Sequence, residues 1–159
     1  MGKLDASKVP VKTGSIYPAP YDAQMAGRSS LRLGQAGGLT QFGVNLVSLE
    51  PGARSSLRHW HQNEDEFVMV TEGELILQTD AGETEMRAGE FAAFPAGGRD
   101  GHCFTNRSGA IARFLVIGSK APREVVTYSD VDLVLTMGDG TVQFTRKDGS
   151  PYTPDETQS

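Results

Sequence analysis

Cysteine is nearly missing from this chain: Cys103 is the only one among 159 residues. A single thiol excludes an intrachain disulfide and points to the reducing cytoplasm. No apolar run is long enough to span a bilayer, and the first thirty residues lack the apolar centre of a signal peptide. No run of Lys or Arg forms a basic patch. With a formal net charge of -5 and a pI near 5.2, nucleic acid is not an expected partner. Internal repeats and low-complexity blocks are absent. Histidine is scarce, and its scarcity is informative: His59, His61 and His102 are the only three, confined to two short segments.

What is present reads as β-structure. The length suits one domain with a real core, and 19 Gly and 8 Pro fit many short strands joined by turns. Residues 1–38 are polar and punctuated by Pro10, Pro18 and Pro20; they read as an N-terminal arm, with a short helix over Ala23 to Leu33. From Thr40 to Leu49 the chain is rich in apolar and β-branched residues, a strand closed by the turn Glu50-Pro51-Gly52. Further strands follow at Leu57–His61, Glu66–Val70, Glu74–Gln78, Glu83–Arg87, Phe91–Phe94, His102–Asn106 and Ala112–Ile117. Residues 39–120 thus make a core. Residues 121–159 make a C-terminal extension, with strands at Glu124–Tyr128, Val131–Leu135 and Thr141–Thr145 and a tail from Asp148. Eight to ten short strands with little helix predict an all-β antiparallel barrel or jelly roll.

Alternation along a strand puts residues two apart on one face. His59 and His61 therefore project together, with Trp60 on the other side. Glu66 follows a polar loop, on a strand able to pair next door, and His102 opens a strand after the Gly-rich stretch from Pro95 to Gly101. Imidazole and carboxylate together suit a divalent transition metal such as Fe, Mn, Ni, Cu or Zn. Three histidines and one glutamate leave coordination positions open for water or substrate, as catalytic sites do. Glu64 and Asp65, beside Glu66, are expected to face solvent. The same parity turns Trp60, Phe67 and Met69 outward, where they need a cover: a second subunit, the N-terminal arm, or the segments after Pro122. On the first strand Phe42, Val44 and Leu46 share one face and Gln41, Gly43 and Asn45 the other. If the polar set lines the barrel, Gln41 and Asn45 are substrate contacts. Asn106 is read as a structural residue bonding a turn backbone, and Cys103 as a small buried residue facing away from His102.

The two segments resemble the two motifs of the cupin superfamily. The first reads His59-Trp60-His61, four residues, Glu66, six residues, Gly73. The second reads Gly89, five residues, Pro95-Ala96-Gly97, a gap, His102, three residues, Asn106. Two spacings differ from the family pattern: six residues rather than five separate Gly52 from His59, and four rather than two separate Gly97 from His102. The second keeps strand parity, so His102 can still face inward; a wider loop could instead bring Arg99 or Asp100 to the pocket mouth. The resemblance spans roughly residues 40–118. It implies a double-stranded β-helix, with one divalent metal per chain held inside by His59, His61, Glu66 and His102. It also implies a homodimer paired through the outer face. The implied activities are those of a metal-dependent enzyme acting on a small polar metabolite: a dioxygenase, a decarboxylase or a sugar-type isomerase. The motifs contain no obvious general base; a metal-bound hydroxide or Tyr128 could serve. The alternative is a module that binds metal and a small ligand without turnover. Intact ligands count against a third reading, a storage-type barrel.

Overall fold

Thirteen strands and almost no helix account for the chain, in a computed structural model that describes residues 2–153. Six strands form one antiparallel sheet in the order β1-β2-β3-β10-β5-β8. These are β1 (Val11–Thr13), β2 (Arg28–Leu31), β3 (Phe42–Leu49), β10 (Ala112–Ser119), β5 (Glu66–Glu72) and β8 (Phe91–Phe94). Opposite lie β13 (Thr141–Thr145), β12 (Val134–Gly138), β11 (Arg123–Tyr128) and β4 (His59–His61) in that order. Beside them stand β7 (Gly82–Arg87), β6 (Glu74–Thr79) and β9 (Cys103–Thr105). A single bridge between His59 and His102 joins the last two groups, with reciprocal backbone bonds of 3.1 and 2.8 Å.

The expected strands of the core form where alternation placed them. The N-terminal arm departs from expectation. Arg28–Leu31, anticipated as part of a helix, is a strand, because Ser30 and Leu31 pair with Val47 and Leu46 of β3. Tertiary pairing overrides a weak local preference here. Among the described residues of the arm, two short 3-10 turns at Ala6–Lys8 and Asp22–Met25 and one helical turn at Leu33–Ala36 are the only helical pieces. In the C-terminal extension the expected strand at Val131–Leu135 begins later, at Val134, while Leu133 is wholly buried. Nor is the extension an appendage: β11 pairs directly with the strand that carries His59 and His61. Of the expected tail, residues 154–159 lie outside the described residues.

Two apolar clusters fill the interior. One gathers Val47, Leu49, Val68, Val70, Leu75, Phe104 and Phe114, with Phe94 packed against it. The other gathers Leu57, Val126, Tyr128, Leu133 and Leu135. The histidines sit where the two meet: Phe94 stacks on the ring of His102 at 3.6 Å, and Tyr128 lies 6.0 Å from His59. Asn106 behaves as expected. Its buried amide donates to the Leu49 and Ala110 carbonyls and its oxygen accepts from Ser108, pinning a turn.

Candidate metal centre

β4 delivers His59 and His61 to one face, with ring centroids 5.0 Å apart and Nε2 atoms 3.2 Å apart. His59 Nδ1 lies 2.8 Å from the Leu57 carbonyl oxygen. A carbonyl only accepts, so Nδ1 carries the hydrogen and Nε2 keeps a lone pair, the tautomer a metal ligand needs. Glu66 opens β5 on the facing sheet, and ligand atoms of His59, His61 and Glu66 all lie within 4.8 Å of one another. This set could hold a metal ion. Two imidazole nitrogens and a carboxylate oxygen match the preferences of first-row divalent ions.

His102 meets this group through Glu66. Its Nε2 is 2.6 Å from Glu66 Oε2, its ring is 4.9 Å from that of His59, and it is 2 % exposed. The longer loop before it is tied down. Arg58 bonds Asp130 at 2.7 Å, pairs with Asp80, and reaches the Gly101 carbonyl at 3.3 Å. Asp100 in turn accepts from the Asp80 backbone at 2.6 Å. The extra residues are absorbed at the surface, and His102 still enters the interior.

Burial pushes the His59 imidazole down to about 3, helped by the neighbouring His102 and His61. The ring therefore stays neutral and ready to ligate at physiological pH. Burial alone would raise the Glu66 carboxyl, but the hydrogen bond from His102 and the adjacent imidazoles hold it below the usual range. Burial makes the Tyr128 hydroxyl harder to ionise, so it is a poor base and a good neutral donor.

Behind His61 stand two carboxylates, Glu124, which sequence reasoning left out, and Glu64, which it turned to solvent. Glu124 is 1 % exposed. It accepts from the backbone of Gln62 at 2.8 Å and of Asn63 at 3.0 Å, with Oε1 3.9 Å from His61 Nδ1. Glu64, expected in solvent, is half-buried instead, and its carboxylate falls within 4.8 Å of ligand atoms on His61 and Glu124. The missed signal was phase: Glu124 occupies an apolar phase shared with Val126 and Tyr128, so a carboxylate there had to point inward. Phe94, the ring that fixes His102, was likewise hidden in an unremarkable strand end.

Val47 and Leu49 are core residues, so the face they share with Asn45, Gly43 and Gln41 lines the barrel, and the polar set is the inner one. Asn45 is half-buried there, and Gln41 is exposed at the mouth. In the same row Gly118 pairs with both Gly43 and Glu66, and two missing side chains beside Glu66 leave an open approach. Tyr128 walls the His59 side. Arg99 does not join them: its guanidinium lies 6.0 Å over the Trp60 ring, on the face turned away from the histidines.

The Cupin domain family matches residues 45–118. A crystal structure of a sugar phosphate isomerase from a cupin superfamily, from Silicibacter pomeroyi, is 57% identical with a TM-score of 0.95, covering 97% of this chain and 98% of that one. The chain belongs to the cupin superfamily. A structure from Acidithiobacillus ferrooxidans, also named for sugar phosphate isomerase activity, matches this cupin at 25% identity and a TM-score of 0.72, covering 88% and 97% of the two chains. A polyketide cyclase from Streptomyces resistomycificus shares the fold at 23% identity and a TM-score of 0.60, covering 75% and 79%. No curated protein matches. Among the described residues no helix is long and apolar enough to cross a membrane.

Proposed function

We propose that this cupin is a metal-dependent isomerase that interconverts the aldose and ketose forms of a sugar phosphate. The observation that carries the reading is the near full-length likeness, at 57% identity, to a protein named for that activity. The site chemistry agrees with it. Aldose–ketose isomerisation moves a proton between adjacent carbons while negative charge develops on the carbonyl oxygen. His59, His61 and Glu66, with His102 alongside, would hold a divalent ion, and that ion would supply the Lewis acidity to stabilise such charge.

The chain's own groups do the rest. The Leu57 carbonyl fixes the His59 tautomer, and Glu124 accepts from the Gln62 and Asn63 backbone with its Oε1 3.9 Å from His61 Nδ1, near the place outer-shell carboxylates take beside metal-binding imidazoles. A proton resides between His102 Nε2 and Glu66 Oε2. Phe94 and Tyr128 exclude water from two sides. The gap at Gly43 and Gly118 admits substrate, and the amides of Asn45 and Gln41 are placed to bond sugar hydroxyls.

The test is incubation of the metal-loaded protein, purified without a His tag, with aldose and ketose phosphates of three to six carbons in D2O, with and without dioxygen. Isomerisation through a proton transfer predicts interconversion independent of oxygen, with deuterium appearing at the carbon next to the carbonyl in NMR. Turnover that requires oxygen, or no interconversion of any of these sugars by fully loaded protein, overturns the reading.

A further inference from the structure

The hairpin β1–β2 widens the six-stranded sheet, and its core-side face is cationic. Register sets Lys12, Ser30 and Val47 in one row and Arg28 beside Leu49. With Arg32, Ser15 and Tyr17, the residues Lys12, Arg28 and Ser30 line a cavity of about 180 Å³ that has no carboxylate in its wall. Among the described residues none of Lys12, Arg28 and Arg32 enters an ion pair, although Arg58, Arg87, Arg107, Arg113, Arg123 and Arg146 all do. Asp22 and Glu50 line an adjoining hollow that shares Arg28, and neither pairs with it. Arg28 Nε is buried with no hydrogen-bond partner. Burial makes its guanidinium harder to keep charged, and the Arg32 charge adds to that. A buried, unmatched N–H beside a like charge is costly.

A small oxyanion in the cavity removes both costs. Guanidinium forks match the oxygens of phosphate or sulfate. Ser15 Oγ accepts from the Tyr17 N–H at 2.8 Å, which leaves its own proton to donate, and Ser30 is only 6% exposed. The cavity shares no residue with the metal centre. Tyr17 closes it on that side, edge-on against Tyr128 at 5.4 Å, and Tyr128 lies 6.0 Å from the ring of His59. A molecule whose reacting carbons sit at the metal does not reach past those three rings.

We propose that this cavity is a second ligand site, separate from the substrate's, for a free tetrahedral oxyanion of the phosphate or sulfate class held by Arg28, Arg32 and Lys12. Lys12 lies on β1, Arg28 on β2 and Ser15 between them, so a bound anion ties the arm together. The proposal stands on the cavity and not on the isomerase reading. The experiment titrates inorganic phosphate into the full chain by calorimetry, metal-loaded and after chelation, for wild type, Arg28→Met and Lys12→Met. The expected result is saturable binding of equal strength with and without metal. It should weaken about tenfold or more in Arg28→Met, as loss of charge-assisted hydrogen bonds does, with metal content unchanged. Lys12→Met, at a half-buried hairpin position, should weaken it less and guards against a folding defect in Arg28→Met. Hydrogen exchange locates the anion: phosphate should protect amides of residues 12–17 and 28–32 and leave those of residues 59–66 as they were. No saturable binding, binding lost with the metal, or protection confined to residues 59–66 overturns the proposal. So does unaltered binding in both variants, or in Lys12→Met alone where Arg28→Met does not fold.

Discussion

His59 combines two roles that a single substitution can separate. Its Nε2 is a candidate ligand atom, and its buried ring resists protonation, held down to about 3 against an ordinary 6.5. His59→Ala should cut metal content from about one equivalent per chain to a small fraction of that, measured by elemental analysis on untagged protein; unchanged content removes the ligand assignment. The pH dependence follows from linkage. Between pH 6.5 and about 3 the unfolded chain binds a proton at His59 that the folded chain refuses, so stability falls as pH falls through that window. Glu66, held low, adds to the loss below its ordinary 4.5. In metal-free thermal melts from pH 7.5 to 4, wild type should lose stability more steeply than His59→Gln. Equal slopes would show that the ring is not shielded. Glu124 makes a subtler prediction. In Glu124→Gln one carboxylate oxygen becomes an amide that cannot accept from Asn63, so the backbone beside His61 loosens. Chelator competition should read a drop of about 10–100-fold in metal affinity with the fold retained.

Elements were legible in proportion to how much alternation they carried. β5 announces itself because Glu66, Val68 and Val70 turn inward while Phe67 and Met69 turn out, and β8 and β13 sit where their apolar residues and flanking turns put them. β2 was illegible because Arg-Ser-Ser-Leu has no pattern of its own and becomes a strand only against β3. The inner face of β3 could not be chosen from sequence, since both of its phases are plausible until Val47 and Leu49 are seen in the core. The candidate metal ligands were legible through their spacing; Phe94 and Glu124 come from elsewhere in the fold and carry no local signature, and Leu57, two residues before His59, acts through a backbone carbonyl that has none. The 95–101 loop is the element whose job depends most on one residue. Arg58 ties it to Asp80 and Asp130 and caps the Gly101 carbonyl, with its own side chain 18% exposed. Arg58→Met should cost about 1 kcal/mol in urea unfolding, as loss of ion pairs with two half-exposed carboxylates and of one carbonyl contact does. It should also speed metal loss to chelator by freeing His102. A stable variant that releases metal at the wild-type rate would mean the loop holds its shape without the bracket.

At the scale of the whole molecule the question is what covers the outer face of the six-stranded sheet. One row of side chains crosses all six strands, Val11, Leu31, Leu46, Leu115, Met69 and Phe91. The next row holds Val44, Ile117, Phe67 and Ala93. Val11 and Phe91 are 65% and 67% exposed, and Phe67 and Met69 are 37% exposed each. The arm and the C-terminal strands therefore leave these residues uncovered: the arm adds its hairpin to the edge of the sheet, and β11–β13 lie on the opposite layer. An apolar surface that wide and flat is costly to keep in water, and a second copy meeting it about a two-fold axis would bury it against itself. The expected species in solution is a homodimer at twice the 17.1 kDa of one chain, measured by light scattering behind a sizing column. Phe67→Glu with Met69→Glu places four like charges around the axis of such a pair and should yield a monomer. Because Glu66 and Val68 face the other way, that monomer should keep its metal. A wild-type monomer, or a double variant that remains dimeric, would show that this face serves some other purpose.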